Sequence, residues 1–410
     1  MSKLAIKGRI IDGTGAAPVK RGVVVIDGNQ IRQVGQEKVV DLAPDIPFLE
    51  IDNGTVLPGF VEQHVHLLGV GISPLDILFK SIPESVCQVV ADCAALLDAG
   101  FTSVRDTAGM GNKIKSAIEQ GLIRGPRITS CGKGMSQTGG HGDAFQKIPL
   151  EALKRIPILG AMRIVDGVEA CRAAAREEFR EGADFIKICT TGGLISQGDI
   201  NTQSQYSMEE IKVFVEEARH HETYVTTHAQ GTQGVKNALK GGVTCIEHGF
   251  FLDDECIELM LKPGIYFVPT FSIVQKYMDK INILPPWIVP KVKASYEAHY
   301  ESVRKAHAAG VKIGLGADFL SDPVICPYGQ NGMEFVCLVA AGLSPMDAIV
   351  AATKTGSELM KMPDEIGTLE PGKLADVVVV SGNPLEDISI LANPNNIKIV
   401  IKNGITEKNI

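Results

Sequence analysis

The chain has 410 residues, of which 45% are hydrophobic and 21% charged, and its formal net charge is −8. This composition is ordinary for a globular protein, and the negative charge argues against nucleic acid as a partner, because phosphate binding requires a basic surface. We find no run of about 18 apolar residues and no signal-peptide pattern, and the nine cysteines are scattered without a CxxC pair, so we expect a cytoplasmic protein with reduced thiols and no membrane partner.

The middle of the chain alternates between short β-branched runs and amphipathic helical stretches, which is typical of parallel strands joined by crossover helices. Eight strands are predicted in order, at residues 60–66, 101–106, 126–131, 183–189, 224–228, 243–248, 265–269 and 311–318. Helices are predicted at residues 84–98, 167–180, 208–220 and 290–309. The sequence therefore predicts an α/β fold of the (β/α)8 TIM-barrel type.

Both ends of the chain have a different pattern, in which alternating apolar runs are separated by DG, NG and PG turns. This pattern is typical of antiparallel strands and hairpins. We therefore predict one small β-sandwich domain built from residues 1–57 and 361–410. A barrel domain of residues 58–360 is inserted between the two segments.

Polar side chains lie at the carboxyl ends of five predicted strands, the face at which barrel enzymes carry their active sites. These side chains are His64, His66, Lys187, His228, His248 and Asp318. Each residue alone has an ordinary structural explanation, since a strand-end histidine is usually satisfied within the fold. Their common position at one rim predicts a divalent-metal site, for which zinc is the expected ion with histidine ligands.

His141 lies in the glycine-rich segment TGGHGD after the third strand. Because glycines let a backbone approach a ligand closely, we predict that His141 donates a hydrogen bond to the substrate's carbonyl oxygen or carboxylate. The alternative is a loop histidine without a role, and the helical histidines, His299 among them, are assigned none.

Four further residues are weaker candidates for binding the substrate. They are Arg105, Tyr206, Gln230 and Tyr328. For Arg105 two interpretations stay open, a bidentate contact to a substrate carboxylate and a structural ion pair.

Several segments resemble the amidohydrolase superfamily, and the resemblance covers essentially the whole chain. VLPGFVEQHVH (residues 56–66) and GTLEPGKLADVVVV (367–380) are similar to its signature sequences. TSVRDTAG (102–109), TGGHGD (138–143) and TGG (191–193) resemble its imidazolonepropionase-related dipeptidase branch, which includes prolidase-like Xaa-Pro dipeptidases. One departure is Gln230, which stands where relatives often carry tyrosine, and it bears on how the substrate is bound.

The resemblance implies a binuclear hydrolase in which His64, His66 and Asp318 hold one divalent ion and His228 and His248 the second. It implies that N6-carboxylated Lys187 and a hydroxide bridge the two ions. The hydroxide would attack the amide carbonyl, and Asp318 would pass its proton to the leaving amine.

The substrate implied by the resemblance is a small molecule, an Xaa-Pro dipeptide or an N-acyl proline. Three alternatives are kept: an Xaa-Arg/Lys dipeptidase, a cyclic amidohydrolase or deaminase of the imidazolonepropionase type, and a non-catalytic scaffold. The scaffold is disfavoured because all six metal ligands are present. A homo-oligomer is expected.

Overall fold

The computed structural model describes residues 3–40, 46–71, 79–143, 146 and 162–410. Its strands are β1 (Lys3–Ile10), β2 (Val19–Asp27), β3 (Gln30–Gln36), β4 (Phe48–Pro58), β5 (Phe60–Val65), β6 (Phe101–Asp106), β7 (Arg127–Ser130), β8 (Gly134–Ser136), β9 (Met162–Ile164), β10 (Ile186–Cys189), β11 (Val225–Ala229), β12 (Cys245–His248), β13 (Tyr266–Val268), β14 (Val377–Ser381), β15 (Ile397–Lys402) and β16 (Ile405–Asn409). Its α-helices are α1 (Ile82–Asp98), α2 (Gly111–Glu119), α3 (Val168–Arg180), α4 (Met208–His220), α5 (Thr232–Gly241), α6 (Asp254–Met260), α7 (Phe271–Asp279), α8 (Ile288–Ala309), α9 (Met333–Ala340), α10 (Pro345–Ala351) and α11 (Lys354–Leu359).

Strands from both chain ends form one hydrogen-bonded sheet in the order β16-β15-β14-β4-β1-β2-β3. The two ends meet where β4 pairs antiparallel with β14, with Val56 opposite Val379. Ile6 belongs to an apolar cluster on one side of the sheet, whereas its neighbour Ala5 belongs to a separate cluster, as the alternation of strand side chains requires. Both faces are thus covered, as in the small β-sandwich predicted from the two ends. The predicted residue boundaries of the domains stay a prediction.

The parallel strands form a barrel from two hydrogen-bonded sheets, β5-β6-β7 and β13-β12-β11-β10-β8-β9. Backbone hydrogen bonds join the sheets on one side, where Asp184 N donates to Ser130 O at 2.7 Å. On the other side a segment spanning residues 312–319 links β13 to β5. There Gly314 N donates to Phe267 O, and Asp318 N donates to His64 O, both at 2.8 Å. This architecture is the barrel predicted from the sequence.

The predicted third strand, residues 126–131, differs in form because it continues beyond its predicted end. Its first half is β7, which pairs with β6, and its second half is β8, in which Met135 pairs with Ile188 of β10. The interruption between the halves lets one stretch of chain serve both sheets.

The predicted eighth strand, residues 311–318, makes one isolated bridge, Ile313 with Phe267, and the residue after it, Phe319, makes another with Val65. The Ala317 N–H donates to a carboxylate oxygen of Glu62 at 2.9 Å instead of to a strand carbonyl. This side-chain acceptor replaces a rung of the ladder, and the segment closes the barrel without regular strand pairing.

The four predicted helices, which are α1, α3, α4 and α8, begin and end within two residues of their predicted limits. At the start of α4, Ser207 and Glu210 form a reciprocal capping box, which satisfies free N–H groups of the first turn. Helix α8 ends at Ala309 and is followed by Gly310, whose φ of 90° favours glycine. Across the described part of the chain, no helix is long and apolar enough to cross a membrane.

Candidate metal centre

The structure brings the predicted metal ligands together at the carboxyl ends of the barrel strands. Nε2 of His64 lies 3.3 Å from Nε2 of His66. Oδ1 of Asp318 lies 3.3 Å from the first nitrogen and 3.1 Å from the second. The ring centroids of His228 and His248 are 4.4 Å apart, and His248 is 5.1 Å from His64. Ligand atoms of His64, His248 and Asp318 lie within 4.8 Å of one another, which is close enough to share a cation.

Each of the four histidines also has one ring nitrogen within hydrogen-bond distance of a protein oxygen outside the ligand set. The pairs are His64 Nδ1 with Glu247 Oε2 at 2.8 Å, His66 Nδ1 with Ala108 O at 3.0 Å, His248 Nδ1 with Thr270 Oγ1 at 2.8 Å, and His228 Nε2 with Gly192 O at 3.1 Å. The oxygens of Glu247, Ala108 and Gly192 can only accept, so the proton of His64, His66 and His228 lies on the nitrogen that each oxygen contacts. The other nitrogen then keeps a lone pair, which is the usual arrangement of a histidine metal ligand.

The resulting hydrogen pattern tests whether these side chains fit a metal ion. With both Nδ1 atoms protonated, the Nε2 lone pairs of His64 and His66 face each other and the carboxylate of Asp318, and no proton lies between them. Three electron-rich atoms at such distances repel one another unless a cation joins them. The donor set therefore fits a divalent ion, and imidazole nitrogens with a carboxylate are ligands that zinc accepts.

Lys187 lies on β10 with only 3% of its surface exposed, and its ammonium makes no hydrogen bond or ion pair with any described residue. Burial, and then the positive charge of Lys187, lower the pKa of His64 to about 4. Burial and then neighbouring charges, Lys187 among them, hold the pKa of His228 and of His248 well below its usual range. A buried ammonium without a partner is costly, and this distinguishes Lys187 from the other lysines as a residue of the site.

Two of the ligand positions depend on an uncommon backbone conformation. His248 has a φ of 73° and Asp318 a φ of 58°, in the left-handed region that residues with a side chain rarely adopt. Left-handed φ at the end of a strand interrupts the regular alternation of side chains. This is how Glu247 and His248, adjacent on β12, both reach the neighbourhood of His64. Such strain is commonly found at functional sites.

Glu247 is a residue of the site that the sequence reasoning missed. It is completely buried and accepts hydrogen bonds from His64, Arg105 and Thr226. Burial disfavours its charged form, but Arg105 and His64 outweigh burial and hold the pKa of Glu247 well below its usual range. The sequence signal that could have identified Glu247 is a carboxylate directly before His248, on a strand predicted to be buried.

Arg105 occupies the barrel interior beneath the metal ligands. Its Nη2 pairs with Glu247 and its Nε donates to Gln63 O at 2.8 Å, and the side chain is fully buried. This position corresponds to the structural ion pair, the second interpretation of the sequence, and does not present the guanidinium to a substrate.

The other three weak candidates differ in what their polar ends contact. The hydroxyl of Tyr328 lies 2.8 Å from His66 O, and the hydroxyl of Tyr206 lies 3.3 Å from Val165 O, so both brace the backbone. Oε1 of Gln230 is buried and has no partner within the described residues. Among the three, Gln230 keeps a polar atom for a ligand.

His141 joins the cluster from the loop after β8. Its ring stacks on that of His228 at a centroid distance of 3.9 Å and an interplanar angle of 17°. Burial lowers the pKa of His141 to about 4. The ring lies so close to Gly193 that a Cβ atom there would stand 2.2 Å from it, so the position requires glycine.

The barrel, the ligand set and the histidines oriented by protein oxygens define a hydrolase of the amidohydrolase class. Residues 55–406 match the Amidohydrolase family, and the chain belongs to that family. Among curated relatives, ochratoxinase of Aspergillus niger is 33% identical over 97% of this chain and 85% of its own length. Imidazolonepropionase of Symbiobacterium thermophilum is 24% identical over 89% of this chain and 85% of its own length.

Two solved structures place the chain in the prolidase-like branch of the family. A Xaa-Pro dipeptidase with bound methionine in its active site is 33% identical, with a TM-score of 0.89 and 99% of both chains covered. A prolidase complexed with N-methylphosphonate-L-proline is 34% identical, with a TM-score of 0.91 and complete coverage of both chains.

Proposed function

We propose that this protein is a binuclear metal-dependent dipeptidase that hydrolyses Xaa-Pro dipeptides or N-acyl prolines. The observation that carries the metal-dependent chemistry is the convergence of the unprotonated His64 and His66 nitrogens on the Asp318 carboxylate. The substrate class is supported by similarity along the whole chain to a Xaa-Pro dipeptidase and to a prolidase.

In this proposal His64, His66 and Asp318 hold one ion, and His228 and His248 hold the second. Lys187, which no described protein group pairs, would be a further ligand after carboxylation of its amine. The ions, expected to be zinc, supply Lewis acidity toward the substrate carbonyl and make water acidic enough to act as a nucleophile near neutral pH.

Asp318 is the group that moves the proton. Burial raises its pKa, but His64 and His66 outweigh burial and lower the value to about 2, so the carboxylate is ionised at neutral pH. It accepts a proton from the attacking water and delivers it to the nitrogen of the leaving amine, as the carbon–nitrogen bond breaks. His141 and Gln230 lie on the loops after β8 and β11, where we place the contacts to the substrate.

The test is hydrolysis of a panel by zinc-loaded protein. The panel contains Ala-Pro and N-acetylproline against Ala-Arg, Ala-Lys and Ala-Leu, with product amino acids quantified by mass spectrometry. We expect the proline substrates to be cleaved with the highest kcat/KM, and His64→Ala protein to serve as the inactive control. Preferred cleavage of Ala-Arg or Ala-Lys would contradict the proline specificity and would favour the Xaa-Arg/Lys dipeptidase.

A binding measurement complements turnover. N-methylphosphonate-L-proline should bind the zinc-loaded protein in calorimetry and should not bind the His64→Ala variant. Absence of binding to the loaded wild-type protein, together with no cleavage of either proline substrate, would contradict the proposed substrate class while leaving the metal centre in place.

A second candidate activity is hydrolysis of ochratoxin, favoured by the 33% identity with ochratoxinase over 97% of this chain. Ochratoxin therefore belongs in the same panel, with release of its cleavage products as the readout.

The alternative kept from the sequence, a cyclic amidohydrolase or deaminase of the imidazolonepropionase type, is distinguished from the dipeptidase by metal content. About one ion per chain would favour this alternative, and two ions per chain would favour the dipeptidase.

A further inference from the structure

Behind His141 lies a buried hydrogen-bond chain that the proposed mechanism does not use. Nδ1 of His141 is 3.1 Å from Oγ of Ser196, and Ser196 donates a short hydrogen bond to Oδ1 of Asp199. Gln205 donates to Oδ2 of Asp199 at 3.1 Å and accepts the His141 backbone N–H at 3.1 Å. Ser196, Asp199 and Gln205 are all less than a tenth exposed.

The donors around Asp199 decide where the protons lie. The Asp199 carboxylate accepts four hydrogen bonds. The donors are Nε2 of Gln205, the backbone N–H of Gly193 at 3.4 Å, the ammonium of Lys291 at 3.3 Å and the Ser196 hydroxyl. A carboxylate with four donors only accepts, and so does Gly193 O, which lies 3.2 Å from Oγ of Ser196. The single hydroxyl proton of Ser196 is therefore directed to the nearer of these acceptors, Asp199, and away from His141. Oγ of Ser196 then has only lone pairs for His141, and Nδ1 of His141 must carry a proton. The remaining nitrogen, Nε2, has no partner in the described part of the chain.

Helix α8 holds this chain in place through one of its faces. Lys291 and Ser295 of α8, and Trp287 directly before its first residue, are spaced four residues apart and therefore lie on the same side. Their contacts are Trp287 Nε1 to Ile195 O at 3.1 Å, Lys291 Nζ to Gly193 O at 2.8 Å and to Ser196 O at 2.7 Å, and Ser295 Oγ with Asn201 Nδ2 at 2.8 Å. The loop of residues 193–201 is thus anchored at three points along α8.

We propose that Ser196, Asp199 and Lys291 are positioning residues that act through His141. They fix the imidazole against His228 with a proton on Nδ1, and so leave Nε2 for the substrate. The inference rests on the proposed function, because it assigns His141 a contact to the substrate. Groups that orient a functional histidine in this way commonly change activity by 10- to 100-fold when removed.

The experiment is a double-mutant cycle with a conservative rescue. Ser196→Ala, His141→Ala and the combined variant are compared in the zinc-loaded enzyme on the substrate that the panel selects. Ser196→Thr keeps the hydroxyl, and Ser357→Ala removes a buried hydroxyl from α11, away from the loop. We expect Ser196→Ala to lower kcat/KM by about 10- to 100-fold, Ser196→Thr to restore most of it, and metal content to stay unchanged.

In the His141→Ala background we expect Ser196→Ala to change kcat/KM by less than about twofold, since the two residues then act as one unit. Fully additive effects, or a Ser196→Ala enzyme at the wild-type level, would overturn the inference alone. A His141→Ala enzyme with wild-type kcat/KM would instead remove the role of His141 in the proposed function and the inference with it.

A second measurement needs no turnover. Long-range ¹H–¹⁵N spectra of zinc-loaded protein labelled in its histidines report which ring nitrogen carries the proton, with His141→Ala assigning the signal. We expect a proton on Nδ1 of His141 in the wild type and in Ser196→Thr, and a changed pattern in Ser196→Ala. A wild-type ring protonated only on Nε2 would contradict the hydrogen-bond chain.

Discussion

At Asp318 the backbone as well as the side chain belongs to the site. Asp318 has a left-handed φ of 58°, and its backbone N–H donates a hydrogen bond to His64 O at 2.8 Å. This hydrogen bond joins the residue directly to β5, the strand that carries His64 and leads into His66. The carboxylate then lies within 3.3 Å of His64 and His66. Because the carboxylate is ionised at neutral pH, the proposed function gives this one group two roles, metal ligand and proton acceptor.

Asp318→Asn separates these two roles. The amide keeps the shape and one oxygen ligand but loses the basic site, so we expect metal content to be largely retained and kcat to fall by at least about 10²- to 10⁴-fold, the usual contribution of a general acid–base group. KM should change far less. Metal analysis and steady-state kinetics measure this, with exposed Asp364→Asn as the matched control. Loss of both ions would make the role structural, and an unchanged rate would assign the proton transfer elsewhere.

The residues of the site that were predictable from the sequence are those with a positional rule. His64, His66, Lys187 and the later ligands lie at the ends of parallel strands, and a barrel brings such ends together. Glu247, by contrast, is distinguished only by its partners His64 and Arg105, which are more than 140 residues away in the chain. No local pattern encodes those contacts, and for the same reason the two interpretations of Arg105 stayed open.

At the scale of elements, helix α7 shows how a residue of the candidate metal site changes ordinary helix capping. The residue before the helix, Thr270, would normally cap it, but its hydroxyl pairs with Nδ1 of His248 at 2.8 Å. The carboxylate of Glu334 on α9 accepts the free N–H groups instead, from Phe271 at 2.9 Å and Ser272 at 2.6 Å. The Thr270 hydroxyl contacts His248 and not the free N–H groups of α7. The buried Glu334 carboxylate accepts those N–H groups in its place.

This substitute cap predicts a pH dependence of stability. Burial raises the pKa of Glu334 to about 7, from an ordinary value of 4.5. The folded state therefore binds a proton that the unfolded state releases between pH 4.5 and 7. Proton binding to Glu334 therefore stabilises the folded state. This stabilisation is fully present below pH 4.5 and is lost as the pH rises through 7.

We therefore expect the unfolding free energy of the wild type, relative to Glu334→Gln, to fall by about 2 kcal/mol between pH 5 and pH 8. Urea unfolding at the two pH values measures the difference. The exposed Glu209→Gln should show no such change. A wild-type advantage that is constant or that grows with pH would show that Glu334 is ionised throughout.

At the scale of the whole molecule, ion pairs join the barrel to the β-domain at the end opposite the metal centre. Arg127 at the start of β7 donates to Asp376 at 2.7 Å, and the same carboxylate accepts the Asn403 N–H at 2.7 Å. The Asp376 side chain is only 3% exposed. Removing the arginine therefore leaves a buried carboxylate short of a partner.

Arg127→Met should lower the unfolding free energy by about 2 kcal/mol, less than for a fully buried pair because the Arg127 side chain is 20% exposed. Adding Asp376→Asn should recover part of the loss, and kcat of the folded enzyme should remain near wild type. Chemical unfolding of the single and double variants measures this. If the double variant is no more stable than Arg127→Met, the unpaired charge is not the cause.

The barrel and the small sheet were predictable because the periodicity of apolar residues and the turn residues repeat along the chain. The interrupted third strand and the irregular eighth were not. The form of each of these two strands depends on contacts with residues that are distant in the sequence. In the eighth strand, for example, the Glu62 carboxylate accepts the Ala317 N–H. Hydropathy patterns record which residues are buried, and they do not record which acceptor a backbone N–H finds.

The most direct test of the metal-dependent hydrolase is turnover as a function of bound metal. Protein stripped with a chelator is titrated with zinc in the presence of bicarbonate, and hydrolysis of Ala-Pro is plotted against ions bound per chain. We expect no turnover without metal and a maximum at two ions per chain. Hydrolysis at the full rate by metal-free protein would contradict the proposed chemistry of the site.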